Sequence, residues 1–372
     1  MAQRLSAASS GCTDMGLVRR HETGYNFMGD TLTGATFRWG DTFAANPLMA
    51  PWPELADISI SNYCTNTCRY CYRNSSPAGG FMSLADYRCV LEQLTDKKYG
   101  AVFQVALGGG EPLQHPDIIE IFRTTREDYA IIPNYTTSGI AFTPEIIKAT
   151  RQYCGAVAIS YDPYRTAMTG QQLAKLGAKL AETKIKANIH FVLSEVSIDQ
   201  ASDILSGACD EYFTSFNSIV FLTYKPLGMA GDDDCLKPGE KLRRFLQLVD
   251  QPATKIKIGF DACFVPNLLC NTMVDADFLD SCECGFFSVY VDENLNVLPC
   301  SFCNDAQYSF NLREYTFADI WQRRFQKYRE AAAGNCTVNC SSAQQCRGKC
   351  VFFKQLQFCH TSATISPISE VS

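Results

Sequence analysis

Residues 55–72 read LADISISNYCTNTCRYCY, a β-type apolar run over Leu55–Ser61 that passes directly into Cys64, Cys68 and Cys71. The three cysteines form a C-x3-C-x2-C pattern on one loop. Three thiolates so placed match three corners of a cubane iron–sulfur cluster, because soft sulfur ligands suit iron–sulfur chemistry. No fourth cysteine stands nearby, which leaves one iron open to an exogenous ligand. A zinc site and buried structural thiols are the other readings. Zinc asks for four tetrahedral ligands, often from paired C-x2-C knuckles, and this spacing does not supply them.

Outward from this loop, apolar runs alternate with helical patterns. Val102–Leu107, Ala130–Tyr135, Ala156–Ser160, Ile185–Leu193 and Ser218–Thr223 are the further candidate strands. Helix start signals lie between them. Ser83 precedes Leu84, Val90, Leu91 and Leu94 with Asp86 three residues on, a capping-box arrangement. Thr143 and Pro144 open Pro144–Tyr153 as N-cap and first helical residue. At roughly 30 residues per unit, the size of a right-handed βαβ crossover, the pattern predicts a parallel sheet with helices outside. Ligands then belong at the C-terminal ends of the strands. Val102–Leu107 runs there into Gly108, Gly109, Gly110, Glu111 and Pro112. Glycines at a strand exit let backbone approach a ligand closely and expose N–H and C=O groups to it.

The last unit closes with Gly239–Val249, whose Leu242, Phe245, Leu246 and Val249 follow helical spacing. A domain boundary near residue 252 divides the chain into an extension (1–52), a partial (β/α)6 barrel (53–252) and a cysteine-rich segment (253–372). In the extension a Gly-Asp turn and the run Ala35–Trp39 suggest a hairpin. In the last segment Ser288–Val291 and Asn296–Leu298 suggest another, around Asp292, Glu293 and Asn294. Thr316–Ala332 reads as a helix, with Asp319 in a second capping box.

The composition excludes several classes. Of 372 residues, 46% are hydrophobic and 19% charged, which rules out disorder as the main character. A net charge of -6 rules out nucleic-acid binding through a broad basic field. No apolar run approaches the roughly 18 residues of a membrane span, and residues 1–11 lack the apolar core of a secretory signal. The expected compartment is the reducing cytoplasm, where closely spaced cysteines are more often metal or cluster ligands than disulfides. Eleven of the 19 cysteines lie between Cys263 and Cys359. Cys12, Cys89, Cys154, Cys209 and Cys235 are scattered and read as small buried hydrophobes. Cys336, Cys340, Cys346 and Cys350 give C-x3-C-x5-C-x3-C, with Cys359 beyond and Cys282, Cys284, Cys300 and Cys303 upstream. Four-ligand sites can be drawn twice from this set, so two further clusters fit the count, with structural zinc as the alternative.

The three-cysteine loop and the Gly-Gly-Glu-Pro exit together resemble the radical S-adenosylmethionine (SAM) enzymes, over roughly residues 55–360. The resemblance implies a SAM molecule whose amino and carboxylate groups chelate the open iron, and a 5′-deoxyadenosyl radical that abstracts hydrogen from substrate. It places Tyr70 against adenine, and Gly109, Gly110 and Glu111 at the methionyl amino group. Thr137, Ser138 and Ser160 are further SAM contacts by strand position. The rear cysteines resemble the SPASM extension of the same superfamily, which holds two auxiliary clusters and brings the total to three [4Fe–4S] clusters. Carried over by position, Cys336, Cys340, Cys346 and Cys359 hold the distal cluster, and Cys284, Cys300 and Cys350 the proximal one. Cys282, Cys263 and Cys303 compete as its fourth ligand. Two departures stand out: three residues separate the first pair of the run where two are usual, and Leu295 replaces a usual glycine.

SPASM-bearing members mostly act on peptides and proteins. The resemblance therefore implies maturation of a ribosomally made precursor peptide, by crosslinking, epimerisation or a backbone excision such as splicease-type tyramine removal. Sulfatase-maturing relatives carry an Asp after the proximal cysteine, and Ser301 stands there instead. Asp261, beside Cys263, is the substitute candidate base. A separate leader-peptide-binding protein and an electron donor such as flavodoxin or ferredoxin are the implied partners. A radical SAM dehydrogenase for a sugar or aminoglycoside is the alternative.

Overall fold

The computed structural model describes residues 16–66, 68–162, 168–333, 346, 350–353, 356 and 358–359. The chain divides into two compact units, Met1–Met49 and Ala50–Ser372.

In the first unit, β1 (Leu17–Glu22), β2 (Tyr25–Asp30) and β3 (Thr36–Trp39) form an antiparallel sheet in that order. The sequence suggests only a hairpin here. The missed strand, β1, reads LVRRHE, and its charges hide the pattern; it reverses into β2 at Gly24, whose φ is +74°.

The second unit is built on a ten-stranded sheet. Its strands in chain order begin with β4 (Leu55–Ser61); a small hairpin, β5 (Thr95–Asp96) with β6 (Gly100–Ala101), lies outside the sheet. β7 (Gln104–Gly109), β8 (Ile132–Thr137), β9 (Val157–Ser160), β10 (Ala187–Leu193), β11 (Ser218–Thr223) and β12 (Lys257–Phe260) continue it. β13 (Ser288–Val291), β14 (Asn296–Leu298) and β15 (Phe310–Asn311) complete it. The order is β12-β11-β10-β9-β8-β7-β4-β13-β14-β15, parallel from β12 to β13 and antiparallel beyond. The fold is thus α/β, an open barrel with β12 and β15 as its edges.

Three features differ from the sequence reading. β12 is a parallel strand beyond residue 252, in KIGF, too short and too charged to stand out. The hairpin β13–β14 joins the barrel sheet directly, because β13 pairs with β4. The strand β7 also runs two residues later than expected, so Gly108 and Gly109 belong to it.

Helices α1 (Leu84–Gln93), α2 (Ile118–Arg123), α3 (Pro144–Tyr153), α4 (Gly170–Glu182), α5 (Ile198–Leu205), α6 (Asp210–Phe213) and α7 (Glu240–Asp250) follow the strands. α8 (Val265–Asn271) follows β12. Ser83 caps α1 by accepting from the Asp86 N–H, and Thr143 caps α3 at Ile146, as their residue types dictate. Tyr87, Val90 and Leu91 of α1 are buried in one core with Ala56, Ile58 and Ile60 of β4. Each large side chain so buried contributes about 1.5–3 kcal/mol. Successive strand residues face opposite ways, so the other face of the sheet carries Asp57, Gln104, Asn134, Ser160, Asn188 and His190. All are half-buried, which makes the barrel interior polar.

Candidate functional site

The loop after β4 is fastened by its backbone to the exit of β7. The Gly110 N–H donates to Ser61 O (2.7 Å) and the Glu111 N–H to Tyr63 O (3.1 Å). Only glycine permits this approach. A Cβ on Gly109, whose φ is +109°, meets Ser61 O at 2.2 Å, and one on Gly110 meets Tyr63 O at 2.0 Å. Within the loop, the sulfur of Cys64 accepts from the Asn66 N–H (3.3 Å) and that of Cys71 from the Ser75 N–H (3.4 Å). Backbone donors aimed at sulfur favour the thiolate. Burial nonetheless pushes the Cys64 thiol up, and the nearby Glu111, Cys68 and Cys71 add to this in their charged forms. A bound cationic cluster inverts that balance.

Glu111 is the hub beside the loop. It is buried, and its Oε1 accepts from Thr137 Oγ1 (2.6 Å) and the Leu113 N–H (3.3 Å). Its Oε2 accepts from the N–H (2.8 Å) and hydroxyl (2.5 Å) of Ser138. Thr137 and Ser138, expected at SAM, thus hold Glu111 in place. Ser160 is half-buried at the end of β9, in register with His190. Tyr70 is buried, and its hydroxyl donates to Asp162 (2.7 Å), itself buried just past β9. The β11 exit supports the loop from the other side, where the Met229 N–H donates to Cys71 O (2.9 Å). Four strand exits therefore converge on Cys64, Cys68 and Cys71.

Behind them lies a second thiol site. Cys263, Cys282, Cys284, Cys300, Cys346 and Cys350 line one cavity. The Cys284 thiol is pushed well up by hydrogen bonds with Cys282 and Cys300 and by burial. Burial also raises Cys350, against the N–H groups of Phe353 and Phe352. Crowded buried thiols ionise together only where a cation offsets their repulsion, and iron does this. Of the three candidates for a fourth proximal ligand, Cys263 and Cys282 line the cavity. Cys303 instead turns its sulfur to Asp305 O (3.5 Å). Cys346, grouped by position with the distal set, lines this same cavity. Cys359 follows Phe358, which Asn267 and Asn271 hold against α8. Cys336 and Cys340 lie outside the described residues. No three His, Cys, Asp or Glu side chains among the described residues converge as ligands of a single ion. A cubane, whose ligands sit on separate irons, does not require that.

The two candidate catalytic residues are both hydrogen-bonded. Asp261 accepts from Thr223 Oγ1 (2.6 Å) and from Lys225 Nζ (2.9 Å), so both of its oxygens are engaged. Ser301 is hydrogen-bonded to Tyr72, whose phenol burial pushes up to about 12. Tyr72 and Phe302 lie ring to ring, with centroids 4.4 Å apart, and link the front loop to the rear cavity.

Sequence reasoning missed Lys225 and Asp57. Asp57 lies on the interior face of β4, in register with Tyr290 of β13, and burial raises its carboxyl to about 7. Its signal was a carboxylate inside an otherwise apolar strand. Lys225 had none, because a lysine after a strand is ordinarily solvated.

Residues 58–205 match the model of the Radical SAM superfamily. The chain is similar to the mycofactocin maturase MftC of Mycolicibacterium smegmatis, 23% identical over 321 residues, covering 78% of this chain and 76% of that protein. It is as similar to the AdoMet-dependent heme synthase of Methanosarcina barkeri, 23% identical over 339 residues, covering 81% and 90%. Among solved structures, Streptococcus suis SuiB bound to S-adenosylmethionine superposes with a TM-score of 0.69 at 16% identity, covering 94% of this chain and 98% of that one. SuiB bound to its precursor peptide SuiA gives 0.64 at 15% identity, covering 93% and 94%.

Proposed function

We propose that this chain is a radical SAM enzyme using SAM and a [4Fe–4S] cluster, as the match of residues 58–205 implies, and that it matures a ribosomally made precursor peptide. The observation that carries this reading is the similarity to a maturase along 78% of the chain. The fold shared with a peptide-bound SuiB across 93% of the chain supports it. So does the polar barrel interior, which carries Asp57, Gln104, Asn134, Asn188 and His190.

In this reading Cys64, Cys68 and Cys71 hold the SAM-binding cluster. The thiols are grouped on one loop, two with amide donors on sulfur, and this donor set fits three corners of a cubane. When bound, the reduced cluster and SAM supply a carbon radical that takes hydrogen from a C–H bond. Gly109 and Gly110 bring the β7 exit against the loop, and Glu111, braced by Thr137 and Ser138, presents a fixed carboxylate there. Tyr70, tied to Asp162, closes one side of the loop, and Ser160 stands at the next strand end. Cys284, Cys300 and Cys350, with Cys282 or Cys263, hold a proximal auxiliary cluster. By position, Cys336, Cys340, Cys346 and Cys359 hold a distal one, with Cys346 also lining the rear cavity. The cysteine-rich segment from 253 functions as the auxiliary-cluster domain. The chemical outcome is a crosslink, an epimerised residue or a backbone excision. A leader-binding protein and a flavodoxin or ferredoxin complete the system. Among the described residues no helix is long and apolar enough to cross a membrane.

The similarity to a heme synthase, equal in identity and slightly longer, favours a second reading in which the substrate is a small molecule. One experiment separates the two. The reduced, reconstituted enzyme is incubated anaerobically with SAM and the short peptide encoded beside its gene, and the peptide's intact mass is recorded. Loss of two hydrogens means crosslinking or dehydrogenation, and a much larger loss means excision. Unchanged mass with solvent deuterium uptake means epimerisation. SAM cleavage with the peptide untouched in mass and label, partner protein included, overturns the peptide reading.

A further inference from the structure

Lys225 is an expensive residue to keep where it lies. It is only 6% exposed, in the turn that follows β11, and its Nζ donates to Thr223 O (2.8 Å) and Asp261 Oδ2 (2.9 Å). The ammonium also sits 4.4 Å from the ring centroid of Phe302, two residues after Cys300. Desolvating both charges costs several kcal/mol, and well-packed apolar residues of similar volume often do as well or better. The pair is also poorly placed to serve the core, because Lys225 lines the rear cavity with Cys263, Cys282, Cys284 and Cys300. The two charges act there with opposite sign. Lys225 favours the Cys263 thiolate and Asp261 opposes it, while the ammonium also interacts with Cys300.

Cluster potentials are set by net charge, burial and hydrogen bonds to sulfur. A fixed cation in a dry cavity stabilises the more negative, reduced cluster, and a fixed anion destabilises it. We propose that Lys225 and Asp261 are positioning residues that set the reduction potential of the rear cavity's cluster, Lys225 raising it and Asp261 holding it back. This rests on the reading of the rear cavity as a cluster site.

The test uses the full chain, reconstituted in a Cys68→Ala, Cys340→Ala background that removes the front and distal clusters' signals, with iron counted and the rear cavity's cluster followed by EPR during a redox titration. At the parent's midpoint, Lys225→Met is expected to lower the reduced-to-oxidised ratio at least tenfold, a midpoint about 59 mV more negative. Asp261→Asn is expected to move it the other way, and Lys225→Arg to stay near the parent. Iron-loaded Lys225→Met and Asp261→Asn with the parent's midpoint overturn the proposal. If Lys225→Met does not assemble, Asp261→Asn, which keeps the ammonium, decides by whether its midpoint rises. Absence of a cluster in the Cys68→Ala, Cys340→Ala parent fails the cavity reading itself, before either variant is compared.

Discussion

The front loop places three thiols within eight residues, 64 to 71, and holds them by main-chain contacts to neighbouring strand exits. The rear cavity gathers its six from separated segments: before α8, before β13, after β14, and at 346 and 350. One site is positioned by how closely two backbones approach, the other by how side chains pack after the sheet has formed. The front site is therefore vulnerable where a side chain is added, and the rear site where one is removed or recharged.

The largest effect tests the front half of that contrast. In Gly110→Ala the new Cβ lies 2.0 Å from Tyr63 O, a backbone atom that cannot swing aside as a flexible side chain does. The β7 exit must part from the cysteine loop. We expect SAM cleavage, read as 5′-deoxyadenosine, to be lost along with the front cluster's share of the iron, while the rear share stays. A variant with parental cleavage would show that the close approach is dispensable.

A smaller effect probes the ground between the two sites. Asp57 stands inside the barrel, and its charge is felt by Tyr72, the residue after Cys71. Its carboxyl is raised by burial to about 7 in the folded protein, against 3.8 when free. Between those values the folded state keeps a proton that the unfolded state has released, so stability falls as pH rises through that window and is level above it. Asp57→Asn is expected to abolish that decline and to leave the protein more stable by at most about 4 kcal/mol above neutral pH. Urea unfolding at pH 5 and pH 8 reads this directly. Equal pH slopes for parent and variant would place Asp57 in better contact with solvent.

The same contrast explains what the sequence reveals. The front motif is local: Cys64, Cys68 and Cys71 lie within eight residues of one loop, and Gly109, Gly110 and Glu111 stand at the exit of one strand, so spacing alone points to them. The caps at Ser83 and Thr143 and the buried set of α7 are legible for the same reason, since each depends on residues three or four apart. The rear cavity depends on β13 pairing with β4 across more than two hundred residues, which no short pattern encodes. Spacing therefore leaves Cys263, Cys282 and Cys303 undivided, and tertiary structure sets Cys303 apart from the other two. Strand β12 escaped because alternating lysines mask a half-buried edge, and β1 because of its arginines. Asp261 is a candidate base, and Ser301 a candidate catalytic position, only by their neighbours in sequence. Their neighbours in space are Lys225 and Thr223 for Asp261 and Tyr72 for Ser301.

The division of labour between the two cysteine sites is tested most directly by one assay on three proteins. The parent, Cys68→Ala and Cys284→Ala are reconstituted, reduced anaerobically and given SAM, and 5′-deoxyadenosine is quantified beside iron content. The account predicts cleavage by the parent and by Cys284→Ala, which is short of about four irons, and none by Cys68→Ala. Cleavage that survives in Cys68→Ala and disappears in Cys284→Ala, both otherwise iron-loaded, would contradict it.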